Sequence, residues 1–181
     1  MKDKKVRVNK RLIVMVEVAV MVALAVICSF IKVWEMPQGG SIALTMIPLL
    51  LIAFRRGPAA GITAGAIYGV ISMLLAGTIY HPMSILLDYI LAFGLLGIAG
   101  FFGKSVKGIV LGSCAGVACR FVSSVVSGAV LFAEFAPEGQ NPWVYSLIYQ
   151  CTYMIPELII AVAVLLLLYF KARRLFEVKE S

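Results

Sequence analysis

Apolar residues in this chain fall in long unbroken runs, interrupted by short breaks rich in Gly, Pro, Lys and Arg. The runs predict helices at about 11–31, 41–54, 58–76, 83–103, 108–133 and 145–170. About 20 residues at ~1.5 Å each cross the ~30 Å hydrocarbon layer of a bilayer, and all but one of the runs have that length. The segment 41–54 is shorter. Its polar start at Ser41 and Thr45 suits a stretch that lines an aqueous cavity, where irregular backbone is tolerated. None of the runs alternates apolar and polar residues as a barrel strand would. The pattern predicts an all-α membrane protein: a single integral-membrane domain over 1–181, built as a six-transmembrane-helix bundle.

Composition agrees with a lipid-facing surface. Hydrophobic residues make up 62% of the 181 and charged residues 14%, against about half and a quarter in soluble domains. The net charge of +7 does not indicate nucleic acid, because the basic residues gather at the ends of runs and not on one face. With a cytoplasmic N-terminus, the inside segments hold Lys2, Lys4, Lys5, Arg7, Lys10, Arg11, Arg55, Arg56, Lys104, Lys107, Lys171, Arg173, Arg174 and Lys179, which is 14 of the 16 basic residues. The outside segments hold Lys32, and Arg120 lies within a span. The positive-inside rule then places both termini in the cytoplasm. The first apolar run is too long for a signal peptide and lacks an A-x-A-like exit, so it reads as a retained helix. The longer connections, 32–40, 77–82 and 134–142, all fall outside and carry Trp34, Tyr80 and His81, with Trp143 just beyond. Loops of that kind on one side point to binding there. An interfacial aromatic belt also uses Trp and Tyr, but at both interfaces.

Gly57, Gly61, Gly65 and Gly69 form a small-residue stripe on the third helix, and Gly108, Gly112 and Gly116 form one on the fifth. Both stripes are expected to admit a neighbouring backbone. Ala19 and Ala23, extended loosely to Ile27, make a similar face on the first helix. The stretch 97–105 looks like a phosphate loop, but it has five residues between its glycines where four are required, and it ends a membrane helix. Cys28, Cys114, Cys119 and Cys151 lie in apolar runs without CxxC spacing and read as small buried thiols. With no HExxH, GxSxG or paired-carboxylate arrangement, the chain is expected to be no enzyme and to carry no metal or cofactor.

Ionisable residues at membrane depth are costly and mark candidate sites. Asp88 lies near the outer end of the fourth helix and Arg120 within the fifth, with Ser124, Ser127 and Gly128 following on the Arg120 face. The sixth helix adds Tyr145, Tyr149, Gln150 and Tyr153. This concentration in the outer half is what a pocket opening outward needs. Asp88 and Arg120 could also pair simply to tie two helices together. Glu157, after Pro156, reads equally as a packing device or a ligand, and Glu17 as a snorkelling or partner-contacting carboxylate. His81, before Pro82, reads as a helix start.

The segments WEMPQGGSIALTMIP from Trp34, LLDYILAF at 86–93, RFVSSVVSG at 120–128 and NPWVYSLIYQ at 141–150 resemble the thiamine-specific substrate-binding (S) component of energy-coupling factor (ECF) transporters. The resemblance covers nearly the whole chain. It implies a six-helix vitamin-binding protein of a bacterial cell membrane, with its site near the outer surface. It also implies partners beside the lipid bilayer: a transmembrane coupling subunit, docked on the Ala19 and Ala23 face, and two cytoplasmic ATPases. Carried over by position, Trp34 would be the loop aromatic over the site, and Asp88 and Tyr89 the ligands on helix four. Arg120, Ser124, Gly128 and Phe132 would follow on helix five, and Tyr145 and Gln150 on helix six, with Tyr149 on the same helix. Asp88 stands where the family usually has glutamate, Ser124 where it has histidine, Gln150 where it has asparagine, and Phe132 where tryptophan can stand. An aminopyrimidine still suits the Asp88 carboxylate with the Gln150 amide, and a thiazolium cation suits aromatic faces at ~0.5–2 kcal/mol each. The reading is therefore uptake of thiamine or a close pyrimidine relative. A different vitamin, a membrane-embedded enzyme and a scaffold are the alternatives.

The basic-residue split makes a direct prediction. In sealed cells, a membrane-impermeant thiol reagent should label cysteines introduced at 36 and 139 and miss those at 56 and 105. Labelling at 56 or 105 would reverse the orientation.

Overall fold

The computed structural model describes residues 9–36, 40–76 and 81–178. Lys2, Lys4, Lys5, Arg7, Lys179, Tyr80 and positions 37–39 of the PQGGS loop lie outside the described residues. The chain runs α1 (Lys10–Ser29), β1 (Lys32–Glu35), β2 (Ser41–Ala43), α2 (Met46–Arg56), α3 (Pro58–Ala76), a composite helix α4 (Pro82–Phe102), α5 (Val106–Leu131) and α6 (Pro142–Lys171). Single turns of 3-10 helix follow at Ala133–Phe135 and Arg173–Leu175. Among the described residues, α1, α3, α4, α5 and α6 are long and apolar enough to cross a bilayer.

The expectation of an all-helical chain is corrected at 32–43. There β1 and β2 pair antiparallel, with Trp34 opposite Ile42 and Glu35 opposite Ser41, and α2 begins at Met46 instead of 41. Strands of three and four residues are too short to leave a readable alternation. Their mutual pairing satisfies the backbone groups that a helix would otherwise satisfy. At 11 residues, α2 is ~16 Å long, about half a bilayer. It is also the centre of the bundle: Leu49, Leu50, Ile52 and Ala53 are fully buried, and α2 contacts α1, α3, α4 and α6.

Glycine sets how closely the other helices pack. A side chain at Gly65 would run into the Phe93 carbonyl, and one at Gly97 into the backbone of Gly61 and Ile62. On the opposite side of α4, Gly108, Gly112 and Gly116 of α5 face the carbonyls of Phe102, Ala99 and Leu96. Both expected stripes therefore clasp α4 from its two sides. Gly57 does not belong to its stripe. It has open space around it and a φ of 90°, a left-handed turn between α2 and α3 that favours glycine. The stretch 97–105 closes α4 and opens α5, where Ser105 Oγ accepts a hydrogen bond from the Gly108 N–H at 3.0 Å. His81 caps α4 through Nδ1, which accepts from the Met83 N–H at 3.1 Å, as expected of a helix start.

The end of the bundle where α2 meets α3 is closed by an ion cluster. Glu17 accepts two hydrogen bonds from Arg55, at 3.0 and 3.1 Å, and two from Arg56, at 2.6 and 2.8 Å. Its partners are thus inside the chain, which replaces the snorkelling reading. Arg55 Nη1 also donates to the carbonyls of Arg174, Leu175 and Glu177, at 3.0, 2.9 and 2.7 Å. That clamp folds the tail back and buries Phe176 edge-on against Tyr169, with centroids 5.5 Å apart. The four cysteines are free, and none is fully buried: Cys114 is exposed and the others half-buried, so the buried-thiol reading is corrected. A small, weakly polar thiol is not costly on an apolar helix surface.

Truncation at Phe176 tests the plug. Phe176→Ala should cost roughly 3–5 kcal/mol, the range for removing a buried phenylalanine, seen as a lower melting temperature in detergent. Phe170→Ala, at a position 71% exposed, should leave the melting temperature unchanged.

Candidate functional site

At the end opposite the ion cluster, the bundle opens into a cavity of about 620 Å³, within the ~300–1,000 Å³ usual for small-molecule sites. Each element reaches it through its irregular or polar part. The hairpin supplies Lys32, Glu35 and Ser41, and Thr45 stands just ahead of α2, so the polar start of the second segment does line a cavity. From α4 come Ser84, Asp88 and Tyr89. The last two lie in a π-helical stretch, Ile85–Leu91, and such wide turns recur at functional sites. The clasp around α4 holds this stretch in place: a side chain at Gly69 would meet the Tyr89 carbonyl, and Ser123 Oγ donates to the Leu87 carbonyl at 2.6 Å.

Nine of the ten residues expected in the site line this one cavity: Asp88, Tyr89, Arg120, Ser124, Gly128, Phe132, Tyr145, Tyr149 and Gln150. Trp34 does not, and is 62% exposed. The strand register explains why. A bulge between Lys32 and Trp34 shifts the alternation by one, so Lys32 and Glu35 share the cavity side and bond each other at 2.6 Å. Ala19 and Ala23 are exposed on α1, flanked by exposed Met15, Val16, Val20 and Ile27.

The wall from α6 is an aromatic ladder. Tyr145, Tyr149 and Tyr153 recur every four residues, with successive centroids 6.2 and 6.0 Å apart. Tyr149 ties the hairpin to this wall, its hydroxyl accepting from the Gly40 N–H at 3.2 Å. Gln150 bridges α5 and α6: Nε2 donates to the Ser124 carbonyl at 3.2 Å, and Oε1 accepts from the Tyr153 hydroxyl. Ser146 Oγ donates to the Val125 carbonyl at 2.9 Å and occupies the space a side chain at Gly128 would need.

The charges are arranged differently from the simple Asp88–Arg120 pair. Asp88 Oδ2 accepts from Ser127 Oγ at 2.5 Å. Arg120 instead faces Glu157 across α5 and α6 at 3.5 Å, and its guanidinium lies 4.4 Å from the Phe93 ring centroid. Phe93 is held edge-on by Tyr68, with centroids 4.7 Å apart. Glu157 is therefore a cavity residue, and Arg120 already has its counterion. The signal available in the sequence was a buried carboxylate two turns beyond Tyr149 on the ladder face. Which of two acids the arginine meets depends on helix rotation, which spacing does not give. Formally, the cavity interior holds the carboxylates of Asp88 and Glu157 against one guanidinium. An excess of one negative charge, bordered by tyrosine faces, suits a monovalent organic cation.

The family model described as "Thiamine transporter protein" matches residues 15–177. The thiamine transporter ThiT of Bacillus subtilis is 40% identical, the match covering 93% of this chain and 96% of that protein. ThiT of Lacticaseibacillus paracasei is 27% identical, over 96% of this chain and 94% of that one. The solved structure of ThiT from Listeria monocytogenes superposes with a TM-score of 0.87 at 26% identity, covering 94% of this chain and all of that one. A solved S component of a bacterial ECF transporter shares the fold, with a TM-score of 0.67 at 20% identity, covering 91% of this chain and 98% of the other. This chain is a multi-pass membrane protein, and it belongs to the thiamine transporter protein family.

Proposed function

We propose that the protein is the thiamine-binding S component of an ECF-type transporter in a bacterial cell membrane. It takes the vitamin from outside the cell and works with a transmembrane coupling subunit and two cytoplasmic ATPases. The observation that carries this is the cavity: nine expected residues converge on a space with one uncompensated carboxylate and a tyrosine wall. Asp88 would accept from the aminopyrimidine, and the aromatic faces of Tyr145, Tyr149 and Phe132 would surround the thiazolium cation. Tyr89, Arg120, Ser124, Gly128 and Gln150 complete the wall. Trp34 would come over the ligand through movement of the hairpin that carries it. In the membrane, the whole chain would form one domain of six helices, with α2 reaching only partway, both termini cytoplasmic and the cavity outward. The family likeness, the basic residues at the ion-cluster end and the placement of the cavity opposite it support this orientation. Ala19 and Ala23, exposed on α1, would dock the coupling subunit through close helix packing.

Titration of the purified protein with thiamine tests the site. Asp88→Asn should weaken binding by roughly 1.5–3 kcal/mol, the scale of a charge-assisted hydrogen bond, or about one to two decades in Kd. Its melting temperature should stay near wild type, because Glu157 and not Asp88 faces Arg120. Trp34→Ala should also weaken binding without altering the melt. Unchanged affinity in both would sink the proposed site.

The docking face has its own test. Replacing Ala19 and Ala23 together with leucine should abolish cellular thiamine uptake and leave binding by the isolated protein intact. Persistent uptake would remove this face from the interface.

A further inference from the structure

The polar groups of the cavity differ in how far their bonding capacity is used. Gln150 is engaged at both ends, Tyr153 donates to it, and Asp88 accepts from Ser127. Ser124 and Gln150 mark the middle of the cavity. Arg120 lies one turn deeper on α5, and Glu157 two turns deeper, ~10 Å, on α6. Both are more than nine-tenths buried, at 8% and 2% exposure. Their separation of 3.5 Å is long for a charge-assisted hydrogen bond, which is usually ~2.7–2.9 Å. Arg120 Nε, Arg120 Nη1 and Glu157 Oε2 have no hydrogen-bond partner among the described residues. Buried donors and acceptors are normally satisfied, and leaving them unmet is costly. The cation–π contact with Phe93 engages the face of the guanidinium and leaves its in-plane donors unused.

We infer that the Arg120–Glu157 pair is a second polar subsite on the cavity floor, taking a neutral ligand group that donates one hydrogen bond and accepts another. Such a group accepts from the guanidinium and donates to the carboxylate, so the ion pair is completed without adding charge to a buried site. A group bearing a full charge would unbalance the pair. The inference rests on the thiamine reading. A ligand of that class carries this chemistry in two places, its hydroxyl and its aminopyrimidine edge, and either could reach the floor. Glu157 then sets specificity for the polar group that reaches the floor, while Asp88 answers the cation nearer the mouth.

The test uses calorimetric titration of the full-length protein in detergent with three ligands: thiamine, an analogue with the hydroxyl replaced by hydrogen, and one with the pyrimidine amine replaced by hydrogen. Each is titrated into wild type, Glu157→Gln and the double variant Arg120→Gln/Glu157→Gln, with melting temperatures measured alongside. The double variant removes both charges of the pair, so neither partner is left behind as an ion facing a neutral group. Thiamine should bind the variants about tenfold or more weaker than wild type. One analogue should bind wild type weakly and lose little further in the variants, and it identifies the end that reaches the floor. Variants that bind thiamine as wild type does would overturn the inference and leave the thiamine reading standing. So would an equal loss for all three ligands, or failure of both variants to fold, because each marks the pair as scaffold only. Wild-type protein that binds no thiamine would overturn the reading and the inference together.

Discussion

A backbone inside a bilayer must satisfy its own polar groups, and the arrangement of this protein follows from where that requirement is relaxed. Most of the exposed apolar surface is carried by regular helix. Several departures lie at the cavity: the short hairpin, the half-length α2, the π-helical stretch of α4 and the 3-10 turn after α5. The 3-10 stretch Leu96–Phe102 of α4 and the turn Arg173–Leu175 lie away from it. A wide turn or a strand end exposes side chains and carbonyls that a regular helix would hide. Protein packing behind these segments makes them tolerable. Glycine on α3 and α5 brings neighbouring backbones against α4 from both sides, so the irregular stretch that presents Asp88 and Tyr89 is fixed by its surroundings.

The membrane spans could be read directly from the sequence, because a bilayer demands a long apolar run and little else produces one. The part of the cavity lining on α4, α5 and α6 that carries Asp88, Arg120 and the tyrosines was also readable, since polar residues buried in such runs have few other uses. The share from α1 and α3, with Ser29, Tyr68 and Ser72, was not. What sequence could not give was relative rotation and short-range register. Arg120 has Glu157 as its partner and not Asp88 because of how α5 faces α6. Trp34 stands away from the cavity because one bulge displaces the strand alternation. Gly57 is a turn glycine although its spacing continues a packing stripe. Glu17 finds two arginines some forty residues away in sequence, a contact that no local pattern announces.

The two ends carry opposite electrostatic designs. At one, a single carboxylate is shared by two arginines, leaving a positive excess beside the basic tail. At the other, two carboxylates meet one arginine, leaving a negative excess. Burying any of these ions alone would cost several kcal/mol, so each is retained with a partner, and only the excess is left for external chemistry. A positive end suits the cytoplasmic side of a membrane, and a negative cavity suits a cationic solute.

The buried helix α2 gives these two ends a common element. It begins just after Thr45, at the cavity, and ends at Arg55 and Arg56, which hold both α1 through Glu17 and the folded tail through its carbonyls. Its residues are almost wholly enclosed, so it cannot shift without disturbing α1, α3, α4 and α6 at once. Close packing of this kind makes a rigid strut. The exposed face of α1, with Ala19 and Ala23, is therefore held at a set angle to the cavity by Glu17, two residues before Ala19 and six before Ala23. The site and the surface proposed for a partner are positioned by the same short helix.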